Sequence, residues 1–248
     1  MYNSSDQFYT SDRYYECNPN WHQEGSGYKA QLAGALIRQF QMPTDTITEV
    51  GCGAGAVLLE LSKQFPEAVL KGYDISPHAI RLASKNANLR LNFFLADFTS
   101  SQDQQASIIL VLDVLEHIDD VYSFLRKLRA CGENFIFHIP LDMSCRTMLK
   151  PHTLLQQRTT VGHIHYFTEE TALWMLADTG FEVKHFIYTK PEIDLIKPRS
   201  FRQWVKKLLR RISYGINRKL SVKLWGNYSM MIFAKPMTEK TDENSMAL

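Results

Sequence analysis

The stretch Ile47-Thr-Glu-Val-Gly-Cys-Gly-Ala-Gly55 decides the fold of this chain. Its opening residues, 47–50, are rich in β-branched types and predict a short strand. Three glycines follow at alternate positions, and such a run lets the backbone turn tightly and lie close to a ligand. Residues 56–65 then have the apolar spacing of a helix, so the stretch predicts a strand, a glycine-rich turn and a helix in succession.

Strands and helices alternate along the rest of the chain. Helices are predicted at 27–41, at 56–65, after Ser76-Pro77, at 119–130 and at 169–180, and further strands at 68–75, 91–98, 107–113, 134–139, 181–188 and 228–234. Pro140 is expected to end the fifth strand, because proline lacks the N–H that a ladder requires. This alternation predicts an α/β fold on a doubly wound, mostly parallel sheet of seven strands.

Length and composition fit one such domain. The chain has 248 residues, of which 45% are apolar and 22% charged, and these values are ordinary for a globular protein. We assign the domain to 27–236, an N-terminal arm or lid to 1–26, and a disordered tail to 237–248. No apolar run approaches about 18 residues, so we expect no membrane-spanning helix. The four cysteines lack metal-binding spacing, which favours free thiols in a reducing cytoplasm.

Basic residues are concentrated towards the C-terminus. Residues 191–248 contain 12 Lys/Arg and 5 Asp/Glu, a net charge of +7, whereas residues 1–190 carry −5. Within a helical insertion expected at 196–224, the segment 200–219 has apolar residues at helical spacing and basic residues over much of its remaining surface. Three interpretations stay open: a helix that caps the core, peripheral contact with an anionic membrane and, least favoured, binding to nucleic acid.

The glycine-rich turn has an acidic partner. In a doubly wound sheet, ligands bind at the carboxyl ends of the strands. Asp74 is expected at the end of the second strand, where its carboxylate can accept hydrogen bonds from both hydroxyls of an adenosine ribose. The same residues also satisfy the pattern of NAD-binding proteins, so the loop alone does not identify the cofactor.

Four motifs in order resemble those of the Rossmann-like (class I) methyltransferases that use S-adenosylmethionine (SAM), in particular the methyltransferase type 11, 12 and 23 groups. They are Glu49-Val-Gly-Cys-Gly-Ala-Gly55, Gly72-Tyr-Asp-Ile-Ser-Pro77, Ala96-Asp-Phe98 and Asp113-Val-Leu-Glu-His117. Within them, the third glycine and the acid ahead of the loop favour SAM over NAD. The resemblance covers residues 47–139 and implies a sheet whose last strand runs antiparallel.

The resemblance also implies which residues surround the cofactor. Some line its methionine part, some hold its ribose and adenine, some lie under the sulfonium, and one lies near the mouth. In that order they are Glu49, Gly51, Cys52, Gly53 and Gly55; Asp74, Ile75, Asp97 and Phe98; Leu112 and Asp113; and His117.

Methylation of a hydroxyl can require removal of its proton, and histidine is the natural base at neutral pH. The candidates are His117, His138, His163 and His165, with His117, His163 and His165 preferred as catalytic residues. Alternation along an extended segment puts His163 and His165 on one side. Their segment, 162–168, is similar to one in bacterial O-methyltransferases of surface-polysaccharide and quinone pathways.

A metal site is a weaker alternative. Asp113, Glu116, His117 and His163 offer carboxylate and imidazole ligands, and a similar set occurs in some RNA-terminal 2′-O-methyltransferases. In this chain an Asp replaces the first Glu of that set, so no metal is expected.

We expect SAM-dependent methyl transfer to a hydroxyl, and less favourably to an amine, of a small-molecule, glycan or lipid-linked acceptor. The fourth strand is not followed by an Asn/Asp-Pro-Pro-Tyr sequence, which argues against methylation of a base amino group. An RNA methyltransferase, a non-catalytic SAM-binding partner subunit and an NAD-dependent enzyme stay open as alternatives.

Overall fold

The computed structural model describes residues 25–100, 105–150 and 152–237. These residues form a seven-stranded sheet from β1 Thr46–Val50, β2 Val69–Asp74, β3 Leu91–Leu95, β4 Ile108–Leu112, β5 Phe135–Leu141, β6 Phe181–Thr189 and β7 Tyr228–Pro236. The predicted arm at 1–26, except its last two residues, and the predicted tail at 237–248, except its first, lie outside the described residues.

The strand order is β3-β2-β1-β4-β5-β7-β6. Strands β1 to β5 pair in parallel, whereas β7 is antiparallel to both β5 and β6. The chain therefore starts in the middle of the sheet, extends to one edge through β2 and β3, and returns to build the other half from β4. The predicted doubly wound α/β sheet with an antiparallel last strand is confirmed.

Helices connect and cover these strands. They are α1 Ser26–Gln39, α2 Ala56–Gln64, α3 Pro77–Ala83, α4 Val121–Leu128, α5 Cys145–Met148, α6 His152–Thr160, α7 Glu169–Asp178, α8 Pro191–Asp194, α9 Phe201–Ile216 and α10 Arg218–Trp225. Thr168 begins α7 as predicted, since its hydroxyl accepts the N–H of Thr171. In the described parts of the chain, no helix is long and apolar enough to cross a membrane.

Strand β4 lies at the centre of the core. Ile109 and Val111 pack on one face of the sheet with α4 and α7, whereas Ile108 and Leu110 pack on the other face with α1 and α2. Each such side chain contributes about 1.5–3 kcal/mol through its burial. Because both faces are covered, the end of β4 is a rigid point on which to build a site.

The prediction that Pro140 ends the fifth strand is wrong. β5 continues to Leu141, and Pro140 pairs with Ser229 of β7. On its other side, β4 ends opposite His138. Beyond that residue β5 has a single neighbour, and at such a local edge a missing N–H is tolerated.

The helical insertion expected at 196–224 contains two helices, and the segment 200–219 includes the break between them. Asn217 has extended backbone with φ of −149° and ψ of 104°, and its side chain accepts the N–H of Leu220. It therefore ends α9 and caps α10. Asparagine is among the residues that most favour this capping position, and the insertion between β6 and β7 consequently contains two basic helices in place of one.

Candidate active site

The carboxyl ends of β1, β2 and β4 meet at one edge of the sheet. The chain leaves β1 towards β2 on one side and β4 begins the other half, so a crevice opens between the loops that follow β1 and β4. The glycine loop 51–55 follows β1, Asp74 ends β2 and Asp113 follows β4. The fold thus brings the main predicted cofactor residues to one crevice.

The glycine loop requires its glycines. Gly51, Gly53 and Gly55 have φ of 71°, 52° and 75°, a left-handed conformation that L side chains rarely adopt. A Cβ on Gly51 would lie 2.5 Å from Cγ2 of Val114, and one on Gly55 would lie 2.5 Å from the ring of Phe93. Backbone conformation and available space therefore both exclude a side chain at these two positions.

We expect Gly55→Ala to lower the free energy of unfolding by about 2–4 kcal/mol, because the substitution forces alanine into the left-handed region and its methyl group against Phe93. Urea unfolding measures the change. Gly27→Ala is the matched control, since no atom lies within 4 Å of a Cβ built there. A change at Gly55 no larger than that at Gly27 would contradict the prediction.

Hydrogen bonds to Asp74 connect the glycine loop to the end of β2. Its two carboxylate oxygens accept the N–H groups of Gly53 and Ser76, each at 2.8 Å, while the N–H of Gly51 donates to the carbonyl of Tyr73. Burial raises the pKa of Asp74, and the two N–H donors partly oppose that shift. Each carboxylate oxygen keeps a further lone pair, so Asp74 can also accept ribose hydroxyls.

Glu49 supplies a buried negative group beside the loop. Its side chain is only 3% exposed, and among the described residues its Oε2 has no hydrogen-bond partner. A buried acceptor without a partner is costly and fits a cationic ligand group. The methionine ammonium of SAM is such a group, and the open glycine loop and Asp74 fit the remainder of that molecule.

The stability of the cofactor-free protein should fall as the pH rises from 4.5 to 8. Burial raises the pKa of Glu49 from 4.5 to about 8, although the charge of Lys29 opposes the shift. Folding thus strengthens proton binding by this carboxyl, and the associated stability is present below its unfolded pKa and lost as the pH rises through its folded pKa. We expect Glu49→Gln to flatten this slope by up to about 1.4 kcal/mol per pH unit, as measured by denaturant unfolding over a pH series.

Glu60→Gln, on the surface of α2, is the control for that experiment and should leave the slope unchanged. Equal slopes for wild type and Glu49→Gln would contradict the raised pKa of Glu49.

The variants Glu49→Gln and Glu60→Gln also test the contact between Glu49 and the ammonium group of SAM. A cation beside Glu49 should release up to about one proton on binding, which calorimetry in buffers of different ionisation enthalpy detects.

An ion-paired network surrounds Asp113, directly after β4. We call this end of β4 the floor of the crevice. Asp113 has a left-handed φ of 55°, and its carboxylate lies 2.6 Å from Nζ of Lys29 and 2.5 Å from Nδ1 of His138. Nε2 of His138 lies 2.9 Å from the Thr189 hydroxyl. Both ring nitrogens of His138 are therefore engaged, and this candidate base instead positions Asp113.

The charges in that network are mutually stabilised. Burial alone raises the pKa of Asp113, but the charges and hydrogen bonds of His138 and Lys29 outweigh it and hold that pKa well below its usual range. Burial lowers the pKa of Lys29, but the charge of Asp113 raises it. The net effect is a raised pKa. Lys29, which the motifs do not indicate, therefore joins helix α1 to the floor of the crevice.

Three further predicted cofactor residues lie at the same edge. Cys52 in the loop and Leu112 at the end of β4 are both buried, whereas Ile75, directly after β2, is half-buried. A partly exposed apolar side chain at this position can pack against a flat ring. The roles predicted for these residues stay predictions.

Asp97 and Phe98 follow β3, which ends at Leu95 and so is shorter than the predicted strand 91–98. The Asp97 carboxylate accepts the N–H of Thr99 and the hydroxyl of Ser100 and so stabilises a turn. Phe98 is buried. The predicted contacts of Asp97 and Phe98 with adenine stay predictions.

A histidine pair lies beyond the floor of the crevice. The rings of His117 and His163 meet edge to face with centroids 5.0 Å apart. Nδ1 of His163 lies 2.7 Å from a carboxylate oxygen of Asp142, and the Gln157 amide donates to the other oxygen at 2.9 Å. Asp142 directly follows β5, and by fixing Nδ1 it leaves Nε2 of His163 as the atom that can accept a proton.

Glu116 lies beside this pair. It is 1% exposed, its Oε1 lies 3.8 Å from Nε2 of His117, and its Oε2 has no hydrogen-bond partner among the described residues. Burial raises the pKa of Glu116 well above its usual range, and the charges of Asp113 and Asp142 raise it further. The Glu116 carboxyl is thus electrostatically linked to both the cofactor floor and the histidine pair.

The structure does not place His165 in this pair. Its Nε2 lies 2.8 Å from the carbonyl of Ile118, and this contact stabilises the loop. Glu116, His117 and His163 bring ligand-type atoms within 4.8 Å of one another. Asp113, the fourth candidate ligand, is not in that group, and the expectation of no metal stays a prediction.

Comparison with known proteins identifies the class. A family model described as a methyltransferase domain matches residues 23–185, well over half of the chain. The chain therefore belongs to this methyltransferase family, and its cofactor is SAM.

O-methyltransferase 3 of Dictyostelium discoideum is 34% identical over 83 residues, which are 29% of this chain and 19% of that protein. The tRNA N(3)-cytidine methyltransferase METTL6 of Homo sapiens is 24% identical over 192 residues, 67% of each chain. Among solved structures, magnesium protoporphyrin IX methyltransferase (ChlM) of Synechocystis PCC 6803 with bound S-adenosylhomocysteine (SAH) has a TM-score of 0.62 at 17% identity, covering 94% of this chain and 97% of that chain. The chain thus spans less than two thirds of the Dictyostelium protein, and the structural likeness confirms the fold.

Proposed function

We propose that this protein transfers the methyl group of SAM to a hydroxyl group. The Asp142–His163 pair carries the proposal, because it supplies an oriented base next to the cofactor crevice. Glu116 supports this placement, since its pKa responds to the charges of both Asp113 and Asp142. A hydroxyl is a weak nucleophile until a base removes its proton, so a site with such a base favours a hydroxyl acceptor.

When bound, SAM supplies an electrophilic methyl group on a sulfonium leaving group. In the proposed reaction the acceptor oxygen forms a bond to the methyl carbon as the carbon–sulfur bond breaks. The hydroxyl proton passes to Nε2 of His163, and Asp142 stabilises the resulting imidazolium. Asp74 and the Lys29–Asp113 ion pair would fix the floor and loop of the donor site, so that the two reactants meet in line.

The acceptor we propose is a small molecule, a glycan or a lipid-linked compound. The test incubates the protein with SAM and pairs of compounds that differ only in a hydroxyl or an amine, and it measures SAH formation. We expect SAH with the hydroxyl member of an accepted pair. Turnover with only the amine members would contradict the proposal.

RNA is the second candidate acceptor. The similarity to a tRNA methyltransferase and the basic helices α9 and α10 favour it. Methylation of tRNA, together with salt-sensitive tRNA binding, would support this alternative. Binding of SAH without turnover on any acceptor would instead support a non-catalytic partner subunit.

The setting we propose is the cytoplasm, with peripheral membrane contact through 200–219. Free thiols at Cys52, Cys131 and Cys145 support a reducing compartment. Fractionation of cells that express the protein tests the location, since recovery outside the cytoplasmic and membrane fractions would contradict it.

A further inference from the structure

Helices α9 and α10 present an exposed surface that we call the apolar–basic face. Eight large apolar side chains on it are between 39% and 81% exposed. They are Phe201, Trp204, Leu208, Leu209, Ile212, Ile216, Leu220 and Leu224. A helix that only capped the core would bury such residues, so the apolar stripe needs another explanation.

A buried arginine shows how the helix is oriented. Arg210 is 1% exposed. Its guanidinium lies 2.9 Å from a carboxylate oxygen of Glu192 and donates to the carbonyls of Trp225 and Gly226, both at 3.0 Å. Helix α9 therefore directs a charge into the protein and its apolar stripe outward. This anchoring ties the orientation of α9 to the end of α10.

Several cations of the same surface have no acidic partner among the described residues, although Lys219 and Lys223 pair with Glu170. No acid occurs between Asp194 and Glu239. Arg202, Arg211 and Arg218 are exposed, and none of them pairs with a carboxylate in the described parts of the chain. The apolar stripe is thus flanked by cations whose charge is not neutralised by the protein itself.

We propose that the apolar–basic face docks onto an anionic phospholipid surface. An amphipathic helix with apolar and aromatic residues on one side and Lys/Arg on the other lies in the membrane interface, with its apolar side chains among the acyl chains. Each basic side chain near an anionic surface strengthens binding by about fivefold. A second copy of this chain is a poorer occupant, because its identical face would oppose cations to cations.

The docking surface adjoins the segment after β5 that contains Asp142, the partner of the proposed base. Helix α10 packs against α5, and α5 begins after Ser144, two residues beyond Asp142. Met148 and Leu149 at the end of α5 are also highly exposed. A lipid surface on this side would lie near the histidine pair, although the docking proposal does not depend on which acceptor is methylated.

Flotation with lipid vesicles tests the proposal without any acceptor. We expect the full chain to float with phosphatidylglycerol/phosphatidylcholine vesicles and not with phosphatidylcholine alone, and added salt should weaken binding. The double variant Phe201→Ser/Ile216→Ser should bind at least about tenfold more weakly. Both residues are about four-fifths exposed, so the fold should tolerate the change, and unchanged SAH binding would verify this.

Leu89→Ser is the control, because Leu89 is fully exposed on the loop before β3, away from this face, and it should float like wild type. Equal flotation of the double variant, or no flotation of wild type with anionic vesicles, would overturn the proposal. Light scattering tests whether a second copy of the chain covers this face. Self-association that is lost in the double variant would identify a second copy as the occupant. Binding of tRNA without binding of vesicles would identify nucleic acid.

Discussion

Asp74→Ala should weaken SAH binding by about a hundredfold or more. The substitution removes an acceptor from the N–H groups of Gly53 and Ser76 and the acceptor predicted for both ribose hydroxyls. Hydrogen bonds to a charged group contribute about 1.5–3 kcal/mol each, so the loss of two is enough for this effect. Calorimetric titration of the purified protein with SAH measures it.

Asp45→Ala is the matched control, since Asp45 is an exposed acid ahead of β1 and should leave the affinity unchanged. Asp74→Asn keeps the shape of the side chain and should fall between alanine and wild type. NAD, titrated alongside, should not bind. Binding of NAD alone, or unchanged SAH binding by Asp74→Ala, would contradict the placement of the ribose.

His163→Asn should reduce turnover by about 10²–10⁴-fold while SAH binding stays unchanged, because it removes the proposed base and leaves the cofactor crevice intact. Asp142→Asn should also reduce turnover, since it replaces the carboxylate that fixes Nδ1 of His163 at 2.7 Å. The measurement is SAH formation with an acceptor from the hydroxyl panel.

Comparing turnover with SAH binding separates a base from a structural residue. Loss of the base should lower turnover at unchanged SAH affinity, whereas a structural defect should lower both. His152→Asn, an exposed histidine at the start of α6, is the control and should behave like wild type. Full activity of His163→Asn would exclude the proposed base, and His117 would then be tested in the same way.

That the predicted cofactor residues lie together could be foreseen from the sequence, because they lie in short motifs near strand ends. Glu49, Gly51, Asp74 and Asp113 lie in the last two residues of a parallel strand or directly after it, and parallel strands bring their carboxyl ends to one edge. Local sequence is therefore enough to bring them together. Alternation of strands and helices likewise predicted the doubly wound sheet.

Lys29 and the Asp142–His163 pair depend on contacts between distant segments. Lys29 lies in a helix whose sequence indicates only an apolar face, and its partner Asp113 lies four strands further along the chain. Asp142 did carry one signal, since it is an acid directly after a strand, as Asp113 is. His165 shows the opposite case, because its spacing from His163 suggested a shared pocket whereas its ring binds a backbone carbonyl.

The basic insertion shows that periodicity defines a face but not its direction. The spacing of Phe201, Trp204 and Leu208 correctly predicted one apolar stripe. It could not show that Arg210 would be turned inward, because that choice depends on Glu192 and on two carbonyls far along the chain. Asn217 carried a capping signal within the predicted helix, and the long apolar period obscured it.

The carboxyls that line the crevice bear on how each catalytic cycle ends. Glu49 and Asp113 lie near the ammonium of Lys29, and Asp74 ends the neighbouring strand β2. SAM carries a sulfonium cation, and SAH, from which the methyl group has gone, is neutral at sulfur. Methyl transfer thus removes one positive charge from a carboxyl-lined crevice and weakens the attraction that holds the molecule there. We therefore expect this charge difference to favour the exchange of SAH for SAM after each proposed transfer.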